Sequence, residues 1–298
     1  MIVATHDGMF HADDVFAVAM ILQLHPDARV IRTRDPDLLR GADIRIDVGL
    51  KYAPPTDFDH HQDGAPTRSN GTPYAAAGLV AKYYRTKLFG EFYEVIDHSL
   101  IMSVDAIDCG IQIHKNVSPY RVYDIHNVIA SYMPTNYETS GLPKEAIIRL
   151  YYIAFTSAVK FAAHILDHEI SVAKNKAADW DIVMNAIKAS YRDDSRLIIL
   201  KGSLAWTQVV KAHAPDAEFV ISYDLISDSW YIQTIPDNSD NQFSPRKSLP
   251  ASWAGKQDEE LVAATGVMDA MFCHKARFIA RAKTKEGILA MADQALHS

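Results

Sequence analysis

The sequence predicts an α/β protein, with a mainly parallel sheet domain and flanking helices over residues 1–194 and a smaller α/β domain over 195–298. Three observations lead there. Apolar β-branched runs and helix-type segments alternate as β-α-β-α-β through the first fifty residues, the pattern of a parallel sheet joined by crossover helices. After Pro143, apolar residues recur at helical spacing for many turns. At Tyr191-Arg192-Asp193-Asp194-Ser195 that spacing gives way to β runs, which marks the domain boundary. A chain of 298 residues is also long enough for two cores.

Ile2-Val3-Ala4-Thr5 reads as the first strand, and Val15 to Leu22 as a buried helix limited by Pro26. Val30-Ile31 begins a second strand that runs into Arg32-Thr33-Arg34. Asp35-Pro36 then starts a short helix, with the aspartate as cap and the proline at the first helical position. Ile44 to Gly49 is a third strand that ends in Asp47. Pro54-Pro55 interrupts any continuation, and Phe58 introduces Asp59-His60-His61. Thr72-Pro73 opens a helix through Tyr84, and another runs from Val95 to Ile107 with Asp105 and Asp108 on it. Residues Ser118 to Gly141 read as a long surface excursion. The spacing predicts a long helix past Leu166 and Ile170 and a separate one through Trp180 and Ile187.

In the second part, Leu197–Leu200 is a strand and Trp206–Val210 a helix. Phe219–Tyr223 and Trp230–Ile235 form a hairpin through Ser227-Asp228-Ser229. Asp237–Pro250 reads as a polar loop, Glu259–Ala264 as a short helix, Met271-Phe272-Cys273 as an apolar run, and Lys285 onward as a terminal helix.

Composition narrows the function. The formal charge of −7 argues against an extended nucleic-acid groove, since such grooves use lysine and arginine to replace phosphate counterions. Two cysteines far apart, Cys109 and Cys273, indicate neither a disulfide framework nor a thiolate zinc site. The chain starts on a strand-like run with no signal-peptide pattern, and no apolar run approaches the ~20 residues a membrane helix needs. A cytoplasmic location is the expectation.

The chemistry-bearing residues gather where a parallel sheet places its ligands, beyond the carboxyl ends of the strands. His6, His11, Asp13, Asp47, Asp59, His60 and Asp105 could furnish two divalent ions, with Asp47 as the shared ligand because a carboxylate has two oxygens. Carboxylate with imidazole suits manganese, cobalt, zinc or iron. Two such ions roughly 3.5–4 Å apart can activate water and stabilise the departing oxygen at phosphorus. Taken singly, each histidine is as readily a solvated or hydrogen-bonded group. Asp105 is favoured over Asp108 as the last carboxylate, although either could instead cap or salt-bridge. Asp7 and Asp14 are expected to be solvated or supporting groups. Arg32 and Arg34, at the end of the second strand, could meet phosphate or form surface salt bridges.

The spread of motifs goes further. Asp59-His60-His61 following Asp47 resembles the DHH phosphoesterase superfamily. Thr5 to Asp14, Arg32-Thr33-Arg34-Asp35-Pro36, Asp47-Val48-Gly49, Phe58 to Gln62, Val104 to Ile111 and Cys273-His274-Lys275-Ala276-Arg277-Phe278-Ile279 together resemble the melanocyte proliferating gene family within it. The resemblance implies a DHH domain and a smaller substrate-gripping domain, with the active site in the cleft between them. It implies two Mn2+ ions, with Mg2+ or Co2+ as alternatives, and 3′-to-5′ exonuclease action on RNA or short oligonucleotides. Carried over by motif, His6, His11, Asp13, Asp47, His60 and Asp105 would hold metal, Asp47 as the bridge. Asp47, His60 and His61 would be the catalytic groups, His61 orienting substrate or the leaving oxygen. His274 and Arg277 would grip phosphate together with Arg32, Arg34 and His61. Two departures stand out: His11 sits where many relatives carry aspartate, and no glycine-rich segment precedes His274. Competing readings are a phosphatase of small nucleotides or pyrophosphate and a non-catalytic metal- or nucleotide-binding protein. A homodimer is compatible with the sequence, and no membrane partner is expected.

Overall fold

The computed structural model describes residues 1–115, 119–237 and 244–298, and for 191–193 the backbone alone. Residue Ser118 of the expected excursion and residues 238–243 of the expected polar loop lie outside the described residues. The chain divides into two compact units, Met1–Ala173 and Lys174–Ser298.

In the first unit, β1 (Ile2–Thr5), α1 (Ala12–Leu24), β2 (Arg29–Arg32), α2 (Pro36–Arg40) and β3 (Ile44–Ile46) follow the expected alternation. Around Pro54-Pro55 the chain then forms two short strands, β4 (Tyr52–Ala53) and β5 (Asp57–Phe58). The sheet order is β2-β1-β3-β5-β4. β1 is parallel to β2 and β3, β5 is parallel to β3, and only β4 runs antiparallel. His6, Asp47 and Asp59 therefore all follow the carboxyl ends of parallel strands.

α1 is buried almost all round from Ala12 to Ile21, which explains its continuous apolar sequence: a helix with no wet face belongs inside. It packs against α3 (Ala76–Leu88), whose first turn is built from Ala76, Ala77 and Gly78. α3 begins three residues after Pro73, later than the sequence suggests. α4 (Tyr93–Ile96) passes through a π-helical turn, Asp97–Ile101, into α5 (Met102–Asp108). The expected surface excursion contains two further helices, α6 (Ile125–Ala130) and α7 (Asn136–Thr139), capped by Asp124 and Thr135. Ile129 of α6 is fully buried.

α8 runs unbroken from Lys144 to Asp193, so the two predicted helices are one of 50 residues. No glycine or proline interrupts that stretch, which removes the usual causes of a break. The compact units divide within α8, after Ala173 rather than at the change of pattern around residues 191–195. Within Lys144–Ser190 the helix is long and apolar enough to cross a membrane by length and composition. This differs from the expectation of no membrane-length run, because Arg149 and Lys160 interrupt the apolar sequence without lowering its average below that of a spanning helix. Phe155, Ala158, Val159, Ala162 and Leu166 nonetheless sit in the core of the first unit.

The second unit holds β6 (Leu197–Ile199), α9 (Thr207–His213), β7 (Phe219–Asp224), β8 (Ser229–Thr234), α10 (Asp258–Thr265), β9 (Ala270–Cys273), β10 (Ile279–Ala282) and α11 (Lys285–Leu296). Its order is β6-β7-β8-β10-β9, and only the β6/β7 pair is parallel. The strand alternation of β7 serves two cores: Phe219 and Ile221 pack with Trp253, Ile288 and Met291, while Val220 packs with Val183, Val209 and Trp206. Strand β10, which the sequence reading did not resolve, is held by Arg281, whose Nη1 donates to Asp224 Oδ2 at 2.9 Å and to Ser229 Oγ at 3.0 Å.

Phe58 connects fold to site. Its ring is fully buried among Tyr52, Tyr83 and Tyr84, with centroids 5.8–6.3 Å away, and it directly precedes Asp59-His60-His61. Phe58→Ala should cost about 3–5 kcal/mol, read as a lower guanidinium midpoint in far-UV circular dichroism.

Candidate metal centre

The site forms where β1, β3 and β5 end together. The turn after β3 has unusual backbone geometry: Asp47 and Leu50 both have φ of 53°, and Gly49 has φ of 102°. A left-handed aspartate is costly and persists where surroundings hold it. Here the Asp47 N–H donates to Phe58 O at 3.0 Å.

Asp47 presents its two oxygens to three imidazoles, one on Oδ2 and two on Oδ1. Oδ2 lies 3.3 Å from His6 Nε2, and Oδ1 lies 3.3 Å from His60 Nε2 and 3.4 Å from His61 Nδ1. That is the placement expected of a carboxylate shared between two ions. From the first turn of α1, where the helix dipole favours negative charge, Asp14 Oδ2 reaches His6 Nε2 at 3.3 Å and Asp13 Oδ2 lies 3.8 Å from His60 Nε2. Asp108, at the end of α5, closes the ring: Oδ2 is 3.3 Å from His60 Nε2 and Oδ1 is 3.9 Å from His11 Nδ1. Three groupings bring ligand atoms close enough to hold a metal ion: His6, His11 and Asp47; Asp47, His60 and His61; and His11, Asp13 and Asp108.

The donor set fits divalent ions on a further ground. Among the described residues, Asp13 Oδ1, Asp14 Oδ2, Asp47 Oδ1 and His60 Nε2 are buried without a well-formed hydrogen bond, and the ion pairs that the last three make are 3.3 Å or longer. An orphaned buried polar atom costs about 1–3 kcal/mol, and four gathered at one point are what cation ligands look like. Cys109 Sγ sits 3.7 Å from His60 Nδ1, on the side away from the carboxylates.

The charges confirm how crowded this place is. Burial alone would lower the imidazole of His6, but Asp14 and Asp47 push it up to about 10. Burial likewise opposes protonation of His60, and Asp108, Asp47 and Asp13 push it up to about 12. Burial followed by repulsion from Asp47 and Asp108 raises Asp13. Burial also raises Asp14, against the pull of His6. Asp47 and Asp108 are held low: burial works against ionisation, and the histidines outweigh it.

Most of the predicted residues meet here: His6, His11, Asp13, Asp47, His60 and His61. Asp105 does not. Its carboxylate faces the other way, accepting from Gly78 N at 2.9 Å and pairing with Arg68 Nη2 at 2.7 Å. Asp108 stands in the cluster instead, because residues three apart on a helix need not share a target. Asp14 belongs to the cluster as well, although the sequence suggested only a supporting place. Asp59 accepts from His61 Nδ1 at 2.8 Å and from Leu50 N at 2.6 Å, holding the turn and the ring. His126 was missed because its segment read as loop. It is held below its ordinary value by burial, against the charges of Asp124 and Asp108, and its Nε2 is buried without a hydrogen-bond partner.

The arginines divide. Arg32 is a clamp on the His6–His11 loop: Nη2 donates to Gly8 O at 3.0 Å, and the guanidinium lies 4.5 Å from the centre of the Phe155 ring. Arg34 pairs with Asp7 Oδ1 at 2.6 Å and remains exposed beside a cavity of about 440 Å³ that His6, His11, Asp47 and His61 also line. His274 and Arg277 lie on the β9–β10 turn of the second unit. Ala276 N donates to His274 Nδ1 at 3.0 Å, and Arg277 Nη1 to Leu249 O at 3.1 Å.

The family model MYG1_exonuc, described as "Uncharacterised protein family (UPF0160)", covers residues 2–296. The chain belongs to that family. It is the family that the motifs resemble, from the opening histidines to His274. A MYG1 protein of Caenorhabditis elegans is 28% identical, covering 99% of this chain and 95% of the relative. A MYG1 protein of Chlamydia trachomatis is 30% identical over 93% of this chain and 90% of the relative. The human relative named MYG1 exonuclease is 27% identical over 97% of this chain and 84% of its own length. A solved structure of RecJ in complex with Mg2+ from Thermus thermophilus is 10% identical with a TM-score of 0.26, covering 100% of this chain and 50% of that one; a likeness that low carries no argument.

Two outcomes test the centre. Because His6 and His60 hold protons that a metal must displace, Mn2+ binding should release protons, and affinity should rise from about pH 6 to pH 8. Calorimetry in buffers of different ionisation heat measures both. Asp108→Asn should weaken Mn2+ binding while the circular dichroism spectrum is kept.

Proposed function

We propose that this chain is a metal-dependent phosphodiesterase that removes nucleotides from the 3′ end of RNA or short oligonucleotides. The observation that carries the reading is Asp47, one buried carboxylate whose two oxygens face His6 on one side and His60 and His61 on the other. The human relative, named MYG1 exonuclease, supports it. When bound, two divalent ions supply an activated water and charge stabilisation for an in-line displacement at phosphorus. His6, His11, Asp13, Asp47, His60 and Asp108 would hold them, and manganese suits this mixture of imidazole and carboxylate.

The remaining steps belong to the chain's own residues. His61 is exposed, and Asp59 holds its Nδ1. With Nδ1–H committed to Asp59, the ring gives a proton to the leaving 3′ oxygen from Nε2 when it enters the step as the imidazolium. Arg34, tethered by Asp7, presents its cation to a phosphate in the neighbouring cavity, where Leu39, Val48 and Leu50 offer an apolar surface to a base or sugar. His274 and Arg277 offer an imidazole and a guanidinium to phosphate on the β9–β10 turn. The net charge of −7 suits short or single-stranded ends rather than a long duplex. Two free cysteines, one buried and one half-buried, support a cytoplasmic setting.

The test uses 5′-labelled oligoribonucleotides with Mn2+, Mg2+ or chelator, beside DNA, pyrophosphate and mononucleotide controls. Stepwise shortening from the 3′ end with mononucleotide release is expected with metal and is lost with chelator. Asp47→Asn should cost more than the roughly 10–100-fold typical of changes outside the ligand set. Phosphate release from pyrophosphate or mononucleotides with intact RNA would replace this reading with a small-molecule phosphatase.

A further inference from the structure

We propose that Arg68 and Asp105 are positioning residues for the metal centre, a buried ion pair that sets how α5 presents Asp108 to His60. The inference rests on the metal-centre reading above.

Asp105 is fully buried, and Arg68 and Asp97 are each 8% exposed. The Arg68 guanidinium is used on every side. Nε donates to Asp97 Oδ2 at 2.8 Å, Nη2 to Asp97 Oδ1 at 2.6 Å, and Nη1 to Pro73 O at 3.1 Å. Nη2 also lies 2.7 Å from Asp105 Oδ2, and the planar group rests 4.0 Å from the centre of the Tyr74 ring. Such a fork fixes orientation as well as charge. Asp97 lies in the π-helical turn between α4 and α5, so Arg68 grips the helical segment both within that turn and, through Asp105, within α5.

The first turn of α3 completes the device. Its N–H groups point at carboxylates, as free helix N-termini do. Gly78 N donates to Asp105 Oδ1 at 2.9 Å, and Ala76 N donates to Asp13 Oδ2 at 3.3 Å. One helix end therefore locates both Asp13, within the metal cluster, and Asp105, which lies outside it. Gly78 is obligatory: a Cβ there would stand 1.8 Å from Asp105 Oδ2.

Asp105 and Asp108 are three residues apart on α5, about one turn. With Asp105 locked to Arg68 and α3, the rotation of α5 is set, and Asp108 is carried to 3.3 Å from His60 Nε2. Arg68 also sits in the segment that joins His61 to α3, where a tight turn is closed by Arg68 N donating to Thr72 O at 2.7 Å. The same guanidinium thus ties the chain leaving His60-His61 to the helix that carries Asp108.

The experiment compares wild type with Arg68→Met, Arg68→Lys and Asp105→Asn, by two readouts. Mn2+ titration with electron paramagnetic resonance reports the number, affinity and spin coupling of bound ions. A metal-free crystal structure reports the His60–Asp108 distance. The expected result for Arg68→Met is a native circular dichroism spectrum, roughly 10–100-fold weaker binding of one ion, loss of Mn–Mn coupling and a longer His60–Asp108 distance. Arg68→Lys should restore part of the affinity. If Arg68→Met does not fold, Asp105→Asn, which keeps an oxygen for Gly78 N while weakening the pair with Arg68, carries the same two readouts. Wild-type affinity and coupling with Asp108 still against His60 would overturn the inference, whatever happens to thermal stability. If wild type binds no Mn2+, the metal-centre reading fails and the distance alone decides: opening upholds the positioning role, and an unchanged distance ends it.

Discussion

Four carboxylates, Asp13, Asp14, Asp47 and Asp108, are held around the imidazoles of His6 and His60 in a space almost closed to water. Like charges repel strongly once water is excluded, so this arrangement would relax unless the surrounding structure held it. Much of the first unit can be understood as that restraint. The buried first turn of α1 lends its dipole to Asp13 and Asp14. The left-handed turn at Asp47 aims one carboxylate at three histidines. Histidine protonation and depressed carboxylate values at Asp47 and Asp108 show the chain balancing charge that divalent ions would balance better.

The sheet order explains why these groups converge. β3 lies beside β1, and β5 lies beside β3, all parallel. Three consecutive strand ends therefore deliver His6, Asp47 and the Asp59-His60-His61 run along one edge, as ligand sites in parallel sheets require. β2, on the far side of β1, contributes no ligand but supplies Arg32 and Arg34, which brace the loop that carries His6 and His11 through Gly8 and Asp7. The centre is thus supported by two arginine braces, one at that loop and one at Arg68. Outside it, the mostly antiparallel sheet of the second unit carries His274 and Arg277 on a tight turn, with Arg277 in a left-handed conformation.

Where sequence reading and structure part, the cause is side-chain direction or continuity. Asp105 and Asp108 share a short helix, and composition alone could not say which faces His60; the decision belongs to Arg68 and Gly78, far away in sequence. The two helices read between Lys144 and Asp193 are one, because a shift in the apolar stripe imitates a break when the helix changes the core it packs against: Phe155 and Leu166 belong to one cluster, Val183 and Ile187 to another. The segment holding α6 read as loop because its prolines and tyrosines mask a short capped helix, and His126 was overlooked with it.

Local patterning by itself determined the β-α-β-α-β start, the strand-end positions of His6 and Asp47, the hairpin of β7 and β8, and the family. These depend on period, breakers and motif spacing, which are properties of neighbouring residues. Only the tertiary structure decided that Asp108 and Asp14 join the cluster, that Asp105 is an anchor, and that Arg32 braces the loop at Gly8. Those outcomes depend on which buried charges find partners across distant parts of the chain, and the penalty for leaving one unpaired in the interior, not any local preference, selects the arrangement.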